Sequence, residues 1–499
     1  MNILIVSSEV APFAKTGGLA DVAGALPHHV QQLGHDVVVI MPLYRRVRQS
    51  GAALQPTGIH FDVPVGTRSS SAQLHRSVLP GPGPGVPIYF VENDLYYDRD
   101  GLYGTGGGHD SDYPDNSERF IFFTRAVLEA CQLLDFAPDV IHCNDWQTGL
   151  LPVYVKTIYS DRPHLGRSAT LYTIHNLAYQ GMFWHWDMKL TGLDWYLFNW
   201  RQLEYFGSLN FMKGGIVFAD LISTVSKQYA REIQTPEYGV GLHDVLKERS
   251  SDLYGIINGV DYSVWSPDVD EHIAAKYSAH DLSGKAACKA ALQKANNLPV
   301  THTPLIGIVS RLDKQKGFDI LSDAIEQILA LDVQVVLLGT GDPKYHKLFE
   351  TLAERHARKI AVNLTFNNKL AHQIEAGSDM FLMPSRYEPC GLNQLYSLKY
   401  GTVPIVRRTG GLADTIINAT PQALASGTAT GFSFGAYAPA QLLATVRRAV
   451  DTYADKDAWA GLVQTCMAQD WSWDRSAAEY VELYRMARAK VGGHQMACR

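Results

Sequence analysis

The sequence predicts an α/β protein built as two parallel-sheet units, and three observations predict it. Short β-rich runs alternate with helical stretches through the first half of the chain. The alternation restarts after a polar interval in the second half. The hexapeptide TGGLAD occurs at 16–21 and again at 409–414, each time behind a β-like run and ahead of a helix-like one.

The first unit opens on ILIV (3–6) and continues through DVVVIM (36–41), VIH (140–142) and TLYTIH (170–175), runs rich in branched residues and short enough to be strands. LIGIVS (305–310), VQVVLLG (333–339), MFLMPS (380–385) and VPIVRR (403–408) repeat the pattern. Polar text from Gly239 to Ser251, followed by NGVD (258–261), separates the two series. The expected division is residues 1–250, residues 251–475, and a terminal helix over 476–499. A loop rich in Gly, Asp and Pro, Asp98 to Asp115, is expected to be exposed and to serve binding. The TGGLAD repeat marks twin strand-loop-helix units, with a coincidental Gly-Gly turn as the competing explanation.

Bulk properties narrow the function. Apolar residues make up 46% and charged residues 19% of 499, a globular balance. A formal charge of -6 gives no global pull on polyanions, so nucleic acid and anionic membrane are not expected as main partners. Six cysteines, at 131, 143, 288, 390, 466 and 498, are scattered without a C-x-x-C pair, which favours reduced thiols and a cytoplasmic setting over disulfides or structural zinc. The opening MNILIVSSEV lacks a basic n-region and reads as a first strand, and no apolar run approaches the roughly 18 residues of a membrane span.

In open α/β sheets, ligands gather at the carboxyl ends of strands, where loops lead into helices. Lys15, Gly17, Gly18 and Asp21 follow the first strand: the glycines let backbone approach a ligand, Lys15 adds positive charge and Asp21 accepts sugar hydroxyls. Taken alone, the same residues also describe a tight turn with a capping Asp and a solvated Lys. Arg311 and Lys316 occupy the equivalent edge of the second unit and suit a diphosphate, although a solvated loop reads the same way. Glu388, in EPCGL (388–392), enters a helix-like segment, where a carboxylate grips sugar hydroxyls and offsets an emerging oxocarbenium charge, or simply stabilises its helix. Cys390 is read as a neighbour of this site and not as a nucleophile.

HCNDWQ (142–147) and HNLAYQG (175–181) end two strands and bring polar groups and rings together. Trp146 and Tyr103 offer flat faces to a sugar, and Asp145, His175 and Asn176 offer hydrogen bonds, a set suited to neutral carbohydrate. Core packing is the alternative for a lone Trp or His. D-x-D pairs at Asp98/Asp100, Asp110/Asp112 and Asp268/Asp270 have the spacing of a divalent-metal grip, but they lie in polar loop text without a preceding strand, so no metal is expected.

Taken together, KTGGLADV (15–22), HCNDWQTG (142–149), HNLAYQGMF (175–183), NGVD (258–261), SRLDKQKG (310–317), SRYEPCGLNQLY (385–396) and RTGGLADT (408–415) make the chain resemble, nearly end to end, the bacterial glycogen and plant starch synthases. That resemblance implies the GT-B fold, two Rossmann-like doubly wound lobes facing a central cleft, with the last helix returning to the first lobe. It implies retaining, metal-independent transfer of glucose from ADP-glucose to the non-reducing 4-hydroxyl of an α-1,4-glucan such as glycogen, with no cofactor. Lys15, Gly17, Gly18, Asp21, Asn258, Arg311, Lys316, Glu388, Cys390, Gly391 and Leu392 fall on donor-side positions. His175 falls beside the transferred glucose, and Glu9, Tyr103, Asp145, Trp146 and Asn176 fall to glucose and glucan. Lys15, His175, Arg311, Lys316 and Glu388 are the expected catalytic set, assembled by lobe closure. Asn393 stands where relatives usually carry Thr or an aliphatic residue. UDP-glucose as donor, or a non-catalytic glucan-binding role, are the alternatives.

Overall fold

The computed structural model describes residues 1–81, 83–105 and 112–497, with backbone only over 493–497. The chain divides into two compact units, one comprising Met1–Val225, Ala230–Ile256 and Trp473–Arg499, the other Ser226–Tyr229 and Ile257–Ser472. Apart from the short excursion Ser226–Tyr229, the chain changes unit at 256/257 and 472/473, where the sequence predicts 250/251 and 475/476.

Unit 1 is built on strands β1 (Asn2–Val6), β2 (Asp36–Pro42), β3 (Gln55–Val65), β4 (Arg68–Leu79), β5 (Val86–Glu92), β6 (Val140–Asn144), β7 (Ala169–Ile174), β8 (Met182–Trp184), β9 (Glu204–Tyr205), β10 (Ser208–Asn210), β11 (Leu221–Thr224) and β12 (Leu253–Gly255). Its main sheet runs β12-β11-β7-β6-β1-β2-β5-β4-β3. The strands from β12 to β5 are parallel, and the β3–β4 hairpin adds antiparallel pairs at one edge. In β1, β6 and β7 almost every residue is buried, as strands covered by helices on both faces require. The helix Trp473–Ala497 belongs to this unit: His29 meets Asp474 at 2.8 Å, His142 meets the Tyr484 hydroxyl at 2.9 Å and Lys490 meets Asp252 at 2.6 Å. No helix among the described residues is long and apolar enough to cross a membrane.

Unit 2 carries β13 (Leu305–Val309), β14 (Gln334–Leu338), β15 (Ile360–Asn363), β16 (Met380–Met383), β17 (Val403–Arg407) and β18 (Phe432–Phe434), all parallel, in the order β15-β14-β13-β16-β17-β18. That is the doubly wound order, whose direction of winding reverses between β13 and β16. Alternate residues of β14 serve opposite faces. Val335 and Leu337 join the larger core with Ile306 and Ile308, while Val336 and Leu338 join the smaller with Leu305 and Phe381.

The same geometry fixes where ligands can sit. A winding reversal leaves a crevice at the carboxyl ends of the two strands that flank it. In unit 2 these ends are Ser310 and Pro384; in unit 1 the reversal falls between β1 and β6, at Ser7 and Asp145.

Candidate active site

In unit 2 a pocket of about 320 Å³ opens at the β13/β16 reversal. Ser310, Arg311, Lys316, Glu388 and Gly391–Asn393 form one part of its wall, and Gly339, Thr340 and Thr365–Asn368 another. The loop bearing Lys316 reaches this position because Gly317 takes φ +81 and lies so close to strand β16's exit that a Cβ would stand 2.1 Å from the Pro384 carbonyl oxygen. Lys316 Nζ donates to Glu388 Oε2 at 2.6 Å, and the Ser385 hydroxyl donates to the same oxygen at 3.0 Å. Glu388 is buried, at 5%, whereas the Arg311 side chain is 56% exposed and rests on Gln315 and Asp313. A fixed carboxylate-ammonium pair and a reaching guanidinium therefore share one rim, and charge held this way favours an anionic ligand with a positive or sugar-bearing end.

Backbone packing explains the second TGGLAD copy. Gly411 N–H donates to the carbonyls of Glu388 and Pro389, and Cβ atoms on Gly410 and Gly411 would stand 2.0 Å from Glu388 O and 1.9 Å from Cys390 O. The two glycines let this loop lie against the turn that carries Glu388. Cys390 is buried, its thiol pushed up to about 12 chiefly by burial, so it stays protonated and is no nucleophile near neutrality. Asn258 is buried with its backbone N–H on the Cys390 sulfur, and neither residue lines the pocket. Asn393 uses its amide to donate to Val309 O at 2.9 Å, tying the start of its helix to the end of β13.

In unit 1 the first TGGLAD copy is held differently. The buried Glu9 carboxylate accepts from Thr16 N, from the Thr16 hydroxyl at 2.5 Å, from Gly17 N at 3.3 Å and from the Tyr103 hydroxyl at 2.7 Å. Glu9 and Tyr103, which the resemblance assigns to glucose and glucan, also fasten this loop. Lys15 pairs with Asp21 at 2.6 Å, both partly exposed. Gly18 begins the helix Gly18–Gln32.

At the β1/β6 reversal, Asp145 adopts φ 54, a region sparsely used by non-glycine residues, and its carboxylate accepts the His175 N–H at 2.7 Å. It also accepts the Asn176 N–H. Removal from water outweighs these bonds and pushes Asp145 up to about 7, with Glu9 adding to the rise. His175 Nε2 meets Asn144 Oδ1 at 2.9 Å, and since Asn144 Nδ2 donates to Val6 O, this network assigns the proton to Nε2. Burial holds His175 down to about 3, so it is neutral. Trp146 keeps part of its surface while packing edge-on against Phe120 at 4.9 Å, and Gly181 approaches its ring closely enough that a Cβ would stand 2.5 Å away. Asn176 is partly exposed, its Oδ1 accepting the Ala178 N–H.

Three of the D-x-D carboxylates have structural partners. Asp98 and Asp100 pair with Arg45, and buried Asp270 accepts from Tyr400 and pairs with His372. Asp110 lies outside the described residues, as does 106–111 of the Asp98–Asp115 loop; the loop's base is fastened by Arg99 on Asp115. Among the described residues no three His, Cys, Asp or Glu side chains group as a metal site. Sequence reading missed the wall Thr365–Asn368 because β15 is four residues long, and missed Asn144, whose role depends on a neighbouring strand.

The chain matches a family profile described as starch synthase catalytic domain over residues 2–248 and one described as glycosyl transferases group 1 over 290–460. It is 49% identical to a glycogen synthase of Anaeromyxobacter dehalogenans, covering 97% of this chain and 99% of that protein. It is 47% identical to glycogen synthase 1 of Geobacter metallireducens, covering 100% and 99%. Among solved structures it resembles the catalytic domain of starch synthase IV from Arabidopsis thaliana bound to ADP and acarbose, with TM-score 0.89 and 32% identity over 98% of this chain and 99% of that one. A sucrose-phosphate synthase of Thermosynechococcus elongatus shares the fold, with TM-score 0.57 and 16% identity over 98% and 99%.

Proposed function

This chain belongs to the glycogen and starch synthase family of GT-B glycosyltransferases, and we propose that it elongates an α-1,4-glucan with glucose from ADP-glucose, releasing ADP with retention and without metal. The observation that carries this reading is the pocket rim where Arg311 and the Lys316–Glu388 pair meet. Arg311 and Lys316 stabilise the departing diphosphate, so the bond from the anomeric carbon to phosphate oxygen breaks without a protein acid. The acceptor 4-hydroxyl attacks the same face and its proton passes to the departing phosphate oxygen, which needs neither a covalent nucleophile nor a pair of carboxylates. Phe366, 87% exposed on the pocket wall, offers a flat face to the base. Lys15, Gly17, Gly18 and Asp21 serve the donor, and His175, Asn176 and Trp146 the glucose and acceptor.

The direct test supplies purified protein with glycogen and ADP-glucose or UDP-glucose, with and without EDTA, and follows nucleotide release. ADP-glucose is expected to react about tenfold faster or better, with no effect of EDTA. Preference for UDP-glucose would replace the donor assignment, and loss of rate in EDTA would end the metal-free mechanism.

Asp145 gives this reaction a pH dependence. Its carboxylate holds the His175 and Asn176 amides; below about pH 7 it takes up a proton and gives up acceptor capacity. Turnover should therefore fall as pH drops through about 7, while neutral His175 adds no limb there. Asp145→Asn keeps an accepting oxygen but has no proton to gain. Its kcat profile is expected to be flat across this range; a persisting limb would assign the titration elsewhere.

A further inference from the structure

The segment from Met182 to Phe206 of unit 1 sorts its side chains by type. Met188, Leu193, Leu197 and Leu203 are buried. The indoles Trp184, Trp186, Trp195 and Trp200 are 65, 43, 42 and 67% exposed, and Tyr196 reaches 66%. The outward apolar positions of the segment are flat rings apart from Met182, and such rings pair an apolar face with a polar edge. Trp186 meets Trp184 at 6.4 Å and Trp195 at 5.6 Å, both edge to face, which keeps neighbouring rings in different planes instead of closing them face on face.

The charges on this segment are engaged locally. Asp187 accepts from the Ser117 hydroxyl, Asp194 from Tyr196 N and Glu204 from Gly207 N, while Lys189 and Arg201 lie over the rings of Trp186 and Trp200. An incoming ligand meets rings and hydrogen-bonding groups with little charge to answer, which fits a neutral polyhydroxylated chain better than an anionic headgroup or a charged peptide. The surface also continues from the sugar-side residues: β8 follows directly on the 175–181 loop, and Phe183 within it packs 5.7 Å from Trp146.

The geometry points to these indoles as a second contact for the α-glucan, gripping the chain by stacking on its pyranose faces. This inference rests on the reading of glucan as acceptor and names where on unit 1 a long acceptor is held.

The test compares the full chain with Trp184→Ala/Trp200→Ala. Retardation by glycogen in native gels is expected to weaken about tenfold and KM for glycogen to rise in step, while kcat on maltotriose stays within about twofold. In the unaltered chain, maltoheptaose is expected to shield Trp184 and Trp200 from N-bromosuccinimide, read residue by residue by peptide mass spectrometry, a measurement that stands even if the double variant misfolds. Unchanged glycogen retardation in a folded variant, or no shielding, overturns the proposal. So does a change confined to self-association in sedimentation or to binding of phosphatidylcholine vesicles, which would give the surface to a second copy or to lipid. Failure of the unaltered chain to transfer glucose would instead sink the transferase reading, because gel retardation and shielding report on the surface without turnover.

Discussion

Lys316→Ala is expected to lower kcat about 10³-fold while glycogen affinity changes less than about threefold. Lys316 is the ammonium on the pocket rim nearest to being fixed in place: its Nζ sits 2.6 Å from Glu388 Oε2 and its side chain is only 21% exposed. As the anomeric bond breaks, negative charge grows on the leaving diphosphate, and a preorganised cation there contributes more in the transition state than in the ground state. The variant also leaves Glu388 buried without its cation, which places an uncompensated charge on the pocket rim proposed to receive the donor phosphates. Both effects act on the donor side, so the loss should appear in kcat and not in glucan binding. Lys316→Arg restores charge without the compact ammonium and is expected to recover activity only in part. Turnover of Lys316→Ala equal to the parent, measured well below the unfolding temperature, would remove Lys316 from the mechanism.

Much of the fold is legible because its strands are apolar on both faces. ILIV, VIH, TLYTIH, LIGIVS, VQVVLLG and VPIVRR all fall on central strands of the two sheets. The β3–β4 hairpin is not legible by the same reasoning. RSSSAQLHRSVL alternates weakly, since one face of this edge meets water, and its partner strand carries Pro56 and Pro64 with a register shift between Pro56 and His60. Site residues follow a similar division. Arg311, Lys316 and Glu388 are found by asking what stands at the carboxyl ends of strands, a rule of topology that sequence can apply. The work of Glu9 cannot be found that way: its carboxylate gathers amides and hydroxyls from Thr16, Gly17 and Tyr103, and only the folded loop brings these to one point. The partners of the D-x-D carboxylates are hidden in the same way, because Asp98, Asp100 and Asp270 answer to Arg45, His372 and Tyr400 far away in sequence.

The repeated TGGLAD supplies the sharpest contrast between identical text and different physics. Gly410→Ala is expected to destabilise the chain by about 2–4 kcal/mol and to depress donor turnover, because its new methyl would stand 2.0 Å from the Glu388 carbonyl oxygen on a backbone already at φ +44. Backbone cannot swing aside as a flexible side chain can. The N–H of the next residue, Gly411, is bonded to the carbonyls of Glu388 and Pro389, so any shift that relieves the clash moves the turn that aims Glu388 at the pocket. At the matching position in the first copy, Gly17 has φ -151, and a Cβ added there would meet nothing within 4 Å, an extended conformation open to alanine. Gly17→Ala should therefore hold its unfolding temperature within about 1 °C, whereas Gly410→Ala should lose about 5 °C or more. If Gly17 serves close approach of the donor, its variant raises the donor KM without that thermal cost, which separates a ligand-facing glycine from a packing glycine. Equal melting temperatures for the two variants would show that the loop at 409–411 yields around the added carbon, and the tight seating of Glu388 would lose its support.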